Sequence, residues 1–143
     1  MATANFYLNF NGTAEEAFAF YKSVLGGEFT SVLRFRDTAE APKLPPGDQD
    51  KLMHISMPIG KGNVLMGTDA LESAGHKLTV GNNFHISLSP ESEEEANKLY
   101  NGLSAGGKAK MPLTKTFWGA LFGMFTDRFG VQWMINYEYP TNK

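Results

Sequence analysis

Two stretches of this chain are built to one plan, and that repeat restricts the possible folds more than any other feature of the sequence. GTAEEAFAFYKSVLGG (12–27) opens with Thr13 and has Glu16 three residues on, the capping-box spacing that starts a helix. Ala17, Phe20, Tyr21, Val24 and Leu25 then recur at helical spacing, and Gly26 and Gly27 supply the stop. ESEEEANKLYNGLSAGG (91–107) repeats the design with Ser92 and Glu95 as the box, Ala96, Leu99, Tyr100 and Leu103 as the apolar face, and Gly106 and Gly107 at the end. Thr13 to Ser92, Glu16 to Glu95, Ala17 to Ala96 and Tyr21 to Tyr100 are each separated by 79 positions.

Carried back into the preceding strands, that offset lays FYLNFNG on HISLSPE and pairs Phe6 with His85. Downstream, MHISM (53–57) matches LFGMF (121–125), and GNVLMG (62–67) matches GVQWMI (130–135), at an offset of 68. The first half therefore carries extra residues, found in RDTAEAPKLPPGDQD (36–50), where three prolines, a glycine and four acids leave no regular period. A surface loop or lid is expected there. Each half reads strand, helix, strand, loop, strand, tight turn, strand. The strands are expected near 4–10, 28–36, 51–60 and 63–69, and again near 83–89, 108–116, 118–126 and 131–138, with GKGN and DRFG as hairpin turns.

The 143 residues suit one globular unit of two modules, about 1–70 and 82–140. Thirteen Lys plus Arg against fifteen Asp plus Glu, with no dense basic tract, give no reason to expect nucleic acid or an anionic membrane as partner. The absence of cysteine excludes a disulfide scaffold, a Cys-ligated metal and a thiol nucleophile. No apolar run approaches the roughly 20 residues of a membrane span, and a soluble, cytoplasmic protein is expected. Nucleotide-binding loops, the zincin motif and the hydrolase elbow are also missing.

A doubled strand–helix–three-strand module resembles the vicinal oxygen chelate superfamily, which includes glyoxalase I, extradiol dioxygenases and antibiotic-binding resistance proteins. NGTAEEAFAFYKSVLGGE, KLMHISMPIG, VLMGTD and MPLTKTFWGALFGMFTDRFGVQWMIN narrow the resemblance to the PhnB-like branch. It implies an α+β fold of two β-α-β-β-β modules whose curved mixed sheets enclose a cavity, commonly in a homodimer. In the metal-dependent members, four residues bind the ion, one each from the first and last strands of both modules, commonly His or Gln on the first and Glu on the last. The matching positions here hold Phe6, Met66, His85 and Met134. Phenylalanine cannot coordinate, and thioethers are soft ligands suited to Cu(I) rather than to the ions this superfamily uses. A register error of two would bring in Thr68, Gln132 or Asn136, and one of one Gly67 or Ile135, yet no choice supplies a carboxylate pair. Asp69 and Asp127 flank turns and are expected to cap them.

No metal or other cofactor is therefore expected. His54 should lie on the strand face opposite Met53, Ile55 and Met57. With His85 it could line a pocket whose wall includes Phe6, Met66, Trp118, Phe122, Gln132, Met134 and Asn136, mostly apolar with a few polar groups, as small-molecule sites usually are. Two imidazoles also suit proton transfer near neutrality. Hence two functions stand side by side: a metal-free small-molecule binding protein, or a metal-dependent or His-assisted glyoxalase- or dioxygenase-like enzyme with His85 and His54 as acid and base. The plain reading of each histidine is a strand residue bonded to its neighbours, and of each Met and Trp, packing.

Overall fold

Ala14, Ala17, Phe18 and Tyr21 are three or four residues apart, so one face of a helix can bury all of them. In the computed structural model, which describes residues 2–140, all four are excluded from solvent. Phe18 thus takes the core place expected for Phe20, which is half-buried on the flank. The chain divides at Thr79/Val80 into two compact units.

The first unit runs β1 (Phe6–Phe10), α1 (Ala14–Leu25), β2 (Ser31–Arg34), α2 (Pro46–Gln49), β3 (Leu52–Ile59) and β4 (Asn63–Asp69). Its sheet has the order β1-β4-β3-β2, with β1 parallel to β4 and the remaining pairs antiparallel. Leu8, Phe10, Ile55, Met57 and Leu65 are buried, and Phe10 meets Phe18 of α1 edge-on with ring centroids 6.2 Å apart. Gly67 leaves room for the helix, since a Cβ there would lie 2.6 Å from the Phe18 ring.

Val80 onward repeats the plan with β5 (Ile86–Leu88), α3 (Glu93–Ser104), β6 (Lys108–Lys115), β7 (Ala120–Thr126) and β8 (Gln132–Glu138). The sheet order is β5-β8-β7-β6, again with a parallel first pair. Ile86, Phe125, Trp133 and Ile135 are buried, and Tyr100 of α3 lies edge-on to Phe125 at 5.1 Å.

Two expectations change. Ser92 caps α3, its hydroxyl accepting from the Glu95 amide at 3.0 Å, but Thr13 makes no side-chain cap on α1. Buried Asp69 of β4 takes that role, one oxygen accepting from Ala14 N and the other from Leu52 N, both at 2.9 Å. A carboxylate is the stronger acceptor and also suits the positive end of the helix dipole. Residues 36–50 are ordered into short helical turns, Phe35–Asp37, Ala41–Lys43 and α2, where prolines take first-turn positions that need no amide hydrogen. Among the described residues, no helix is long and apolar enough to cross a membrane.

Candidate functional site

The groove of the first unit starts from a slip in strand pairing. Leu33 pairs with His54 but Arg34 with Leu52, leaving Met53 as an extra residue on β3. Such a bulge breaks the two-residue alternation. Leu52 is buried as a result, while Met53 and His54 both border a groove of about 920 Å³ with Tyr7, Asn9, Thr68 and His76. The rings of Tyr7 and His54 lie 6.1 Å apart. Asp69 also borders the groove, but its oxygens are engaged by the two amides already described. His76 accepts the Leu71 amide hydrogen at Nδ1, at 3.2 Å, which places its own N–H on Nε2. Sequence reasoning missed Tyr7, Asn9 and His76. The first two were assigned to the wrong face, and His76 lies between the modules where no period marks it.

In the second unit, Trp133 and Ile135 are buried on the helix side, so alternation puts Gln132, Met134 and Asn136 on the other face of β8. Phe122 pairs with Asn136, and Met124 with Met134, which brings Phe122 and Met124 to that same face. His85, just before β5, stands at the rung of Gln132. Gln132 is only 5% exposed; its amide donates to Phe84 O at 2.7 Å, and its oxygen accepts from Lys110. The Nε2 of His85 is buried with no hydrogen-bond partner. Burial first, and then the positive charge of Lys110, hold its pKa below that of a free imidazole. Both effects favour the neutral imidazole, which can donate or accept once something reaches it.

Trp118 lies in the turn before β7 rather than on the strand, 58% exposed, and borders an open recess of about 420 Å³ with Phe122, Phe117 and Lys110. Lys110 is one of three lysines on the edge strand β6, an ordinary pattern in sequence, and only the fold puts it beside Gln132.

Strand pairing also corrects the repeat. Tyr7 pairs with Met66, and Ser87 pairs with Met134. With Met66 and Met134 equivalent, Tyr7 answers to Ser87, Phe6 to Ile86, and Asn5 to His85. Phe6 is thus not the counterpart of His85: it shares its strand parity with buried Leu8 and Phe10, opposite Tyr7 and Asn9. The helices keep the offset of 79 because the link from strand to helix is one residue shorter in the second half. A one-residue slip exchanges the faces of a strand, which is why the offset of 79 sets apolar Phe6, Leu8 and Phe10 against polar His85, Ser87 and Ser89.

The positions at which metal-dependent relatives would hold an ion now read Asn5, Met66, His85 and Met134. Asn5 already accepts the Val64 amide hydrogen at 2.9 Å. Among the described residues, no three His, Asp or Glu side chains are grouped to hold an ion. Neither the engaged amide and thioether of the first unit nor the imidazole and thioether of the second form a donor set that suits a hard or borderline divalent cation.

Two β-α-β-β-β units, each with its parallel first and last strands at one side of the sheet, define the fold of glyoxalases and their relatives. Residues 4–135 match the Glyoxalase/Bleomycin resistance protein/Dioxygenase superfamily, and the chain belongs to that family. It is 33% identical to Protein YjdN of Escherichia coli K12 over 140 residues, covering 91% of each chain. Among solved structures it resembles protein PA1353 of Pseudomonas aeruginosa, at 40% identity and a TM-score of 0.84 over 96% of this chain and 98% of that one. A PhnB protein from Bacillus cereus is 26% identical, with a TM-score of 0.77 over 95% and 99% of the two chains.

Proposed function

We propose that the protein binds a small, largely apolar organic molecule and does so without a resident metal. The observation that carries this reading is the donor set at the would-be metal positions, where two methionines and an engaged asparagine leave His85 as the single strong ligand. The surrounding faces, rich in Met and aromatic side chains with a few polar groups, have the composition of small-molecule sites. The fold is neutral on the question, since one architecture can host quite different chemistry. A thermal-shift screen of aromatic compounds on EDTA-dialysed protein tests the reading. A compound should raise the melting temperature equally with and without added divalent ions, by mass action on the folded state. Stabilisation that appears only after metal is restored would contradict it.

A second reading is favoured by one observation, the neutral His85 whose Nε2 has no partner. Such a group can serve as a general base once a substrate proton reaches it. In this reading His85→Ala abolishes turnover of any substrate found by the screen while leaving the melting temperature of the free protein unchanged; retained turnover would remove it. The proposal further has the protein acting as a homodimer, as the family resemblance implies, in the cytoplasm. A monomer in sedimentation velocity would remove that part.

A further inference from the structure

We infer that the recess beside β6 and β7 is a binding site for a flat aromatic carboxylate, held by its ring against Trp118 and Phe122 and by its charge on Lys110; this rests on the small-molecule reading above. The recess has an apolar wall that is open to solvent. Phe117 is 97% and Trp118 58% exposed, and Trp118 lies edge-on to Phe122 with centroids 6.1 Å apart. Exposed large aromatics gathered at one hollow are unusual on a soluble surface unless something covers them. The charge is one-sided as well, because Lys110 and Lys115 border the recess and no Asp or Glu does so among the described residues.

Lys110 links the recess to the inner corner of the same sheet. Its ammonium carries three N–H bonds, and Gln132 accepts one of them, leaving others for a ligand. Gln132 cannot readily turn away, because its own amide is committed to Phe84 O. The lysine head is thus positioned rather than free to wander as most surface lysines do, which reduces the entropy lost on binding an anion. The charge of Lys110 is also felt by His85, whose buried Nε2 has no hydrogen-bond partner. Lys115 is placed differently, over the ring of Tyr139 at 5.4 Å, and serves the field of the recess more than direct contact. An aromatic ring with a carboxylate meets both requirements, while a neutral aromatic meets one and an aliphatic acid the other.

The test is calorimetric titration of the full chain, in EDTA, with 1-naphthoate and with the neutral 1-naphthalenemethanol, following the Trp118 indole N–H by NMR. Naphthoate should bind and shift that resonance, the alcohol should bind about tenfold more weakly or worse, and Lys110→Met should weaken naphthoate by about tenfold. Lys110→Arg should keep most of the affinity, and Lys98→Met, on the exposed side of α3, should change nothing. Equal affinity for both compounds, an effect of Lys110→Met no greater than that of Lys98→Met, or no binding of naphthoate would each overturn the inference. Naphthoate that binds only once divalent ions are added would overturn the inference and the metal-free reading together, whereas no binding with or without ions would overturn the inference alone.

Discussion

Asp127→Ala should lower the stability of the protein by about 3–5 kcal/mol, as three donors lose a charged acceptor together. One oxygen of Asp127 accepts from Phe129 N at 2.8 Å and Val131 N at 3.0 Å, closing the turn between β7 and β8. The other accepts from the indole nitrogen of Trp133 at 2.9 Å. Asp127 is 3% exposed and Trp133 fully buried, so water cannot easily replace the lost carboxylate. The turn sets the register of β8, which carries Gln132, Met134 and Asn136, so loosening it should disturb the candidate site as well. Asp127→Asn keeps one carbonyl oxygen but must present an NH₂ group to one set of donors, and its loss should be intermediate. Urea denaturation checks the ranking through the midpoint at unchanged slope. A loss below about 1 kcal/mol for the alanine variant would mean that these bonds contribute little beyond what water supplies.

Gly123→Ala should destabilise by about 3 kcal/mol although it adds a single methyl group. A Cβ at Gly123 would stand 2.7 Å from the Tyr100 ring and 3.0 Å from the Cα of Leu113. Neither neighbour can yield cheaply. Leu113 meets the methyl with backbone, and the Tyr100 hydroxyl donates to Met111 O at 2.9 Å, which ties the ring to β6. The helix must therefore lift from the sheet or the β6–β7 pairing must open. Tyr100→Phe combined with Gly123→Ala should recover part of the loss, because it frees the ring to shift. Thermal denaturation of the two single variants and the double reads that coupling. If Gly123→Ala melts with the wild type, the close approach of α3 to the sheet has been misjudged.

The repeat was legible because helix signals are local. The apolar faces and terminal glycines of α1 and α3, and the Ser92 cap of α3, lie within one continuous segment each, and the offset between the copies follows by subtraction. The strands were legible in number and order but not in facing. One residue fewer between β5 and α3 shifts the register by one, and a period of two converts that shift into exchange of faces, so Phe6 was put where Tyr7 and Asn9 stand. A bulge had the same effect at Met53, which borders the groove although alternation assigns it to the core. His85 and His54 drew attention as residue types, whereas Lys110 and His76 gained meaning only from what surrounds them: Gln132 and the recess for one, the Leu71 amide and the groove for the other. The cap on α1 was hidden for the same reason, since Asp69 is 55 residues from the amide it holds.

The proposal that the protein binds its ligand without a resident metal is tested most directly by elemental analysis of the purified protein. Protein prepared without chelator, then titrated with nickel, zinc, manganese and ferrous iron, should show neither bound metal in proportion to chain nor saturable uptake, and His85→Ala should behave as the wild type does. One equivalent of metal per chain, lost in His85→Ala, would contradict the account and make His85 the anchor of a Lewis-acid centre.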